Sequence, residues 1–354
     1  MPCVTPTAKI LLTGVNGYIG AHVAKDLLDR GYTVIGTVRS SAKGDEITKY
    51  LGEYGSRFSY VVVRDIAQPG AFDKVMSVGK FDGVAHTAAP VPSGASILSG
   101  ASTLKDDFNA ATEGTLNILR SIKDHGHTVK RVVFTSSAMA ASQLEAGVKH
   151  TEAHWNEKSL KIVEEKGDMA SDLERYMASK VLSERAAWKF VQDNEEKVNF
   201  DLVTVLPVAV IGAPINGNTT LDQLVAANLL FEGLKVPRTE SQLEESPLGI
   251  VDVKDVAALH SQAFIQPGAA GHRVMASGAE PSWQDIYDAL NEEPPFPGVP
   301  YGKPGVGRRP NDESLEWDMT YSQSLLGRKM TGAKEMIREA ARYHQGAGWE
   351  FVRA

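Results

Sequence analysis

The chain has 354 residues, enough for one large domain or a domain with a second lobe. Apolar residues make up 42% and charged residues 23%, as in ordinary globular proteins, and a net charge of −7 argues against a nucleic-acid surface. No apolar run reaches the roughly 18–20 residues of a membrane span, no charged-then-apolar leader opens the chain, and a single cysteine, Cys3, excludes an internal disulfide, so a cytoplasmic setting is expected.

Lys9 to Thr13 reads as a strand that is apolar on both faces, as central parallel strands are. Gly14, Gly17 and Gly20 follow at G-x-x-G-x-x-G spacing, and Ile19, Val23, Leu27 and Leu28 then form one face of a helix. A strand, a glycine turn and a helix N-terminus make a pyrophosphate site, in which the N–H groups around Gly17, Tyr18, Ile19 and Gly20 face the anion. Thr33 to Val38 is a second strand, and Arg39 ends it roughly 20 residues beyond the last of these glycines. An acidic residue there would take a ribose 2′-hydroxyl. Arg39-Ser-Ser-Ala-Lys43 instead suits a 2′-phosphate, which favours NADPH/NADP+ over NADH, although the same run also fits a solvated basic loop.

Phe58 to Val63 is a third strand, and Asp65 beyond it is placed either to bond an adenine amino group or to cap a helix starting near Gly70. Asp82 to His86 is a fourth, leading into His86-Thr87-Ala88-Ala89-Pro90, where small residues admit a cofactor ribose. His86 itself reads as a packed, hydrogen-bonded residue. Leu104 to His125 is a long helix with a stripe of Leu104, Phe108, Ala111, Thr115, Ile118, Leu119 and Ile122. Arg131 to Ser136 is a fifth strand, followed by Ser137 and Ala138. Leu173 to Asn194 is a second long helix carrying Tyr176 and Lys180 at i and i+4, on one face. Phe200 to Leu206 is a sixth strand, ending at Pro207.

This alternation predicts an α/β fold, a doubly wound parallel sheet of the Rossmann type, with ligands at the carboxyl ends of the strands. Beyond Gly212 the pattern loosens. A helix over Leu221–Glu232, an exposed loop over Lys235–Pro247, a brief strand at Ile250–Val253 and a helix over Lys254–Ala263 are expected. Ser282 and Asp285 form an N-cap pair, Glu292–Pro310 reads as a surface excursion, and helices over Thr320–Leu326 and Ala333–His344 finish the chain. Residues 1–212 with about 248–270 are assigned to the dinucleotide domain. About 213–247 with 271–354 form a smaller C-terminal substrate lobe.

Ser137, Tyr176 and Lys180 make a coherent acid–base set. A tyrosine has a reference pKa of about 10, and a neighbouring ammonium lowers it by stabilising phenolate. Lys180 can do this one turn away while bonding a nicotinamide ribose, and Ser137 can hold a carbonyl oxygen.

Together, Gly14-x-x-Gly17-x-x-Gly20, His86-Thr-Ala-Ala-Pro90, Val133-Phe-Thr-Ser-Ser137, Tyr176-Met-Ala-Ser-Lys180 and Leu206-Pro207 resemble the extended short-chain dehydrogenases/reductases, in the dihydroflavonol and cinnamoyl-CoA reductase branch. Arg39-Ser-x-x-Lys43, Asp65-Ile66, Glu152 with Trp155, and Pro300-x-Gly302-Lys-Pro-Gly305 are similar to fungal methylglyoxal and ketone reductases. The resemblance spans nearly the whole chain. It implies NADPH-dependent reduction of a small-molecule carbonyl to an alcohol, with Ser137, Tyr176 and Lys180 catalytic and Asp65, Ile66, Thr87, Ala88 and Pro207 near the cofactor. It departs at Ala111-Thr-Glu-Gly114-Thr115, where many of these enzymes carry Asn, so a water-borne proton relay through that side chain is not implied. Where related yeast reductases carry aromatics, this chain has Val91, Ala138, Ser142 and Ala209, which implies a pocket open to bulky or aromatic ketones.

Two alternatives share the fold. A sugar-nucleotide epimerase or dehydratase would need a nucleotide-diphosphate pocket, for which Leu221–Lys235 offers no basic cluster, and usually an acidic residue at Arg39. A non-catalytic NADP-sensing protein would typically lack the Tyr–Lys pair. The two long helices would suit the four-helix bundle of a homodimer and would equally suit a monomer in which they face solvent.

Overall fold

The computed structural model describes residues 3–89, 104–142, 148–216, 219–307 and 316–350. Its first half alternates as β1 Lys9–Thr13, α1 Tyr18–Asp29, β2 Thr33–Val38, α2 Ser41–Leu51, β3 Phe58–Val62, α3 Asp73–Gly79, β4 Gly83–His86, α4 Leu104–His125 and β5 Arg131–Thr135. Then come β6 Lys149–His150, α5 Glu157–Lys166, α6 Asp172–Asp193, β7 Asp201–Pro207, β8 Ala209–Ile211, α7 Val225–Gly233 and α8 Glu240–Leu243. The last are β9 Ile250–Asp252, α9 Val253–Ile265, β10 Arg273–Ala276, α10 Trp283–Asn291, β11 Glu316–Trp317, α11 Thr320–Leu326 and α12 Ala333–Gly346.

Seven strands form one sheet in the order β10-β7-β5-β4-β1-β2-β3, and every pairing is parallel. Strand order reverses between β1 and β4, so a crevice opens at their carboxyl ends, beside the glycine turn. The inner strands are buried on both faces and largely apolar; β7 is buried along its whole length, although it includes Asp201 and Thr204. On one face α1 packs against α9; on the other α4 packs against α6. Ile118, Leu119 and Ile122 of the α4 stripe are buried there. A second core gathers Leu230 and Phe231 of α7, Ile286 and Leu290 of α10, and Met336 and Ile337 of α12 into the smaller lobe.

Several expectations change. Arg273–Ala276, assigned by sequence to the smaller lobe, is the seventh strand of the main sheet, with Arg273 opposite Thr204. Four residues between Gly271 and Gly278 are too short a run to show a period. Helix α11 also packs on β10 and α9, on the dinucleotide side. The basic loop after Arg39 is helix α2, capped by Ser40, whose hydroxyl accepts the Lys43 N–H at 3.4 Å. The exposed loop at 235–247 contains α8, capped by Thr239, with Leu243 buried. The Glu292–Pro310 excursion folds back far enough to bury Phe296 and Val299 in the second core. Residues 308–310 lie outside the described part. No helix among the described residues is long and apolar enough to cross a membrane.

Three histidines are packed into this framework as neutral rings. His260 of α9 donates from Nδ1 to the Val256 carbonyl at 2.7 Å and accepts the Thr135 hydroxyl at Nε2, also 2.7 Å. Burial lowers it to about 4, as it does His22 of α1, and lowers His86 to about 3 with help from the Lys180 charge. Each lies below the unfolded value of about 6.5, so the unfolded chain binds more protons between these limits. Their stabilisation is complete above pH 6.5 and is lost as pH falls towards 4 and 3. We expect a lower urea midpoint at pH 5 than at pH 7, reflecting a loss of unfolding free energy of up to about 2 kcal/mol for each ring. Equal midpoints at the two pH values would refute this.

Candidate active site

The glycine turn is shaped by contacts that a side chain would destroy. Gly14 has φ +72°, and a Cβ there would lie 3.0 Å from the Ala88 Cα. A Cβ on Gly20 would lie 2.3 Å from the Gly14 carbonyl oxygen and 2.9 Å from the Thr87 hydroxyl. The Gly17 N–H donates to the Gly14 carbonyl at 2.9 Å, which closes the turn and starts α1. The next N–H groups of α1 have no intrahelical acceptor, and the first turn holds no acidic side chain. This is a cradle that fits a pyrophosphate.

Strand β4 is fastened beside it by Thr13. Its hydroxyl shares a hydrogen bond with His86 Nδ1 at 2.8 Å and accepts the Ala88 N–H at 3.1 Å, while Thr87 Oγ1 donates to the Thr13 carbonyl at 2.6 Å. His86 is buried, stacks on Phe134 at 5.6 Å, and serves packing as its sequence context suggested. Thr87 and Ala88 border the turn through backbone proximity, their polar atoms being committed to Thr13.

Other predicted cofactor residues divide. Arg39 is exposed at the end of β2, with no ion-pair partner among the described residues. Lys43, in the first turn of α2, is paired with Glu46 at 2.9 Å. Asp65 neither caps α3 nor reaches Gly70; its carboxylate accepts the Ala67 N–H at 2.9 Å and the Gln68 amide at 3.2 Å. Ile66 is half-buried, and its carbonyl accepts Asn117 Nδ2 at 3.1 Å. Pro207 ends β7 opposite Ala276.

Tyr18 offers its backbone to the turn, but its side chain has a separate task. Its hydroxyl donates to the Gly212 carbonyl at 2.9 Å, and burial, followed by the Asp252 and Glu339 charges, holds it well above the usual tyrosine range. His22 Nε2 donates to the Ala213 carbonyl at 3.0 Å, and Asn216 Nδ2 donates to the Asn16 carbonyl at 3.1 Å. Residues 212–216 are thereby pinned to the glycine turn, a link that local sequence pattern does not disclose.

Ser137 caps a single helical turn, Ala138–Ala140, with Oγ accepting the Met139 N–H at 3.2 Å. That turn packs against α6. Asn156, which the sequence reading missed, joins the two. Its Nδ2 donates to the Met139 carbonyl at 3.0 Å and lies 3.6 Å from Met177 Sδ, and its N–H donates to the Ala140 carbonyl at 2.9 Å. On α6, started by a Ser171–Glu174 capping box, the Lys180 ammonium lies 5.4 Å from the Tyr176 ring centroid. Both side chains are half-buried, and neither polar end is engaged by another described residue.

Of the residues expected to line a pocket, Ala138 and Ser142 are fully buried, Ala138 within the main core. Ala209 is half-buried at the start of β8, where its N–H donates to the Gly249 carbonyl at 3.2 Å. Val91 lies outside the described residues.

Residues 10–274 match a family model described as the NAD dependent epimerase/dehydratase family. The NADPH-dependent methylglyoxal reductase of Saccharomyces cerevisiae is 33% identical over 347 residues, covering 94% of this chain and 97% of that protein. A ketoreductase of Aspergillus niger is 35% identical over 293 residues, covering 81% of this chain and 82% of its own. The crystal structure of the yeast methylglyoxal/isovaleraldehyde reductase complexed with NADPH shares the fold with a TM-score of 0.81 at 31% identity, covering 96% of this chain and 99% of that one. Glycine turn, strand order and these relatives agree: the chain belongs to the NAD dependent epimerase/dehydratase family, the extended short-chain dehydrogenases/reductases.

Proposed function

We propose that this protein is an NADPH-dependent carbonyl reductase that converts aldehydes or ketones to alcohols, with Tyr176 as general acid. The observation that carries the reading is the Tyr176–Lys180 pair on α6, with Nζ 5.4 Å from the ring centroid, on the helix against which the Ser137 turn packs. Relatives named as NADPH-dependent methylglyoxal reductase and ketoreductase support it.

Gly14, Gly17 and Gly20 would hold the pyrophosphate, and the exposed guanidinium of Arg39 would take the 2′-phosphate. NADPH, when bound, supplies the hydride that adds to the carbonyl carbon. Ser137 Oγ already accepts the Met139 N–H, which fixes the oxygen and leaves its proton free to donate to the substrate carbonyl. Tyr176 gives its phenolic proton to the carbonyl oxygen as negative charge develops there. The Lys180 ammonium stabilises the tyrosinate left behind, which regains a proton from solvent. Room for a bulky or aromatic substituent is proposed at Ala209, which is half-buried at the start of β8.

Tyr176→Phe is expected to lower kcat by about 10²–10⁴-fold while NADPH affinity is kept, followed by NADPH absorbance and fluorescence titration. Retained turnover would place the proton donor elsewhere. Arg39→Ala should weaken NADPH about 10–100-fold, the loss of a charge-assisted bond, and leave NADH nearly unchanged; parallel weakening of both coenzymes would argue against a 2′-phosphate contact. An aryl ketone should give kcat/KM at least equal to that of a small dicarbonyl, and a strong preference for the small substrate would sink the open-pocket reading.

A further inference from the structure

We propose that Glu184 and Arg273 are positioning residues for this reaction: they fix the strand end that carries Ser137 against the helix that carries Tyr176 and Lys180. The proposal rests on the carbonyl-reductase reading above.

Glu184 is fully buried on α6, one turn beyond Lys180 and two beyond Tyr176, about 6 and 12 Å along the axis. Its carboxylate collects donors from three adjacent strands. Oε2 accepts the Ser136 hydroxyl at 2.7 Å from the end of β5, and Oε1 accepts the Thr204 hydroxyl at 2.8 Å from β7. Arg273 of β10 binds it in a fork, Nε to Oε1 at 2.7 Å and Nη2 to Oε2 at 3.0 Å. Trp188, one turn further along α6, donates to Oε1 at 3.2 Å. These donors saturate the lone pairs of one carboxylate.

The remaining arm of Arg273 extends the grip. Nη1 donates to the Glu152 carbonyl at 2.9 Å and to the His154 carbonyl at 2.5 Å, and the guanidinium lies 3.8 Å from the Trp155 ring centroid. The next residue is Asn156, whose bonds to Met139 and Ala140 hold the turn that Ser137 caps. Ser137 is thus bracketed. Ser136, on its amino side, is held by Glu184 directly; residues 138–140, on its carboxyl side, are held through Arg273 and the 152–156 segment.

A buried ion pair adds little net stability compared with an apolar pair of similar volume. What the fork and its hydroxyl donors add is direction. Reduction needs direction here, because a displacement of about 1 Å between reacting groups can cost about 10²-fold in rate. The Ser136 hydroxyl is committed to Glu184, which leaves Ser137 as the serine assigned to the carbonyl in the reading above.

Ser136→Ala removes one donor and leaves the ion pair intact. Assayed beside wild type and Tyr176→Phe, it should lose about tenfold in kcat, with NADPH affinity, unfolding midpoint and the pH dependence of turnover close to wild type. Glu184→Gln should lose more, about 10²-fold, again with NADPH affinity kept. Unchanged kcat in Ser136→Ala, or a loss matched by weaker NADPH binding or by unfolding at the assay temperature, overturns the proposal alone. Absence of carbonyl reduction by wild type, or full turnover in Tyr176→Phe, overturns the underlying reading and the proposal with it.

Discussion

Backbone meets backbone where β1, β4 and the start of α1 converge, and the rest of the molecule is arranged to permit that contact. The Cα of Gly20 sits so near the Gly14 carbonyl that a single methyl would fall 2.3 Å from it. The turn holds this shape because β4 is fastened on one side by Thr13 and residues 212–216 on the other by Tyr18, His22 and Asn216. Without the close approach, the N–H groups of α1 would not present a common concave surface to an anion. The sheet order that puts β1 next to β4 is the topological condition for it.

Two kinds of force divide the sheet. Around β1 and β2 the packing is almost wholly apolar, with Ile10, Leu12, Val23, Leu27 and Val34 in one core. Burial of this kind stabilises strongly but is indifferent to direction. Strands β5, β7 and β10 are instead stitched by buried charge. Arg131 holds Asp201 at 2.5 and 3.0 Å near the amino ends of β5 and β7, and its other arm reaches the Ala263 and Gln266 carbonyls at the end of α9. The Glu184–Arg273 fork occupies the opposite face further along. The buried charge pairs lie on the half of the sheet that carries the proposed acid–base groups, while the apolar core runs through both halves.

Strong local periodicity was legible in the sequence. Lys9–Thr13, Thr33–Val38, Leu104–His125 and Thr320–Leu326 have the bounds expected from their patterns. Weak periodicity was not. Helix α2 has Gly44 in its interior and buries only Ile47 and Leu51 among its larger apolar residues, so it reads as a basic loop, although Lys43 lies in its first turn and pairs with Glu46. Strand β10 is four residues long. Arg273 and Glu184 are separated by 89 residues and Ser136 and Glu184 by 48, and no window of local sequence connects them. Ala138 and Ser142, expected from their size to leave room, are both fully buried, which no local pattern discloses.

The three bonds that brace the glycine turn join residues 194, 191 and 200 positions apart. During translation at about 5–20 residues per second, about 10–40 s separate the emergence of α1 from that of its braces. For that interval the nascent chain carries the nucleotide-binding fingerprint and its β4 neighbour without the braces from residues 212–216. The high contact order of this corner makes it a late event in folding, and a chain that stops short of residue 216 cannot complete it.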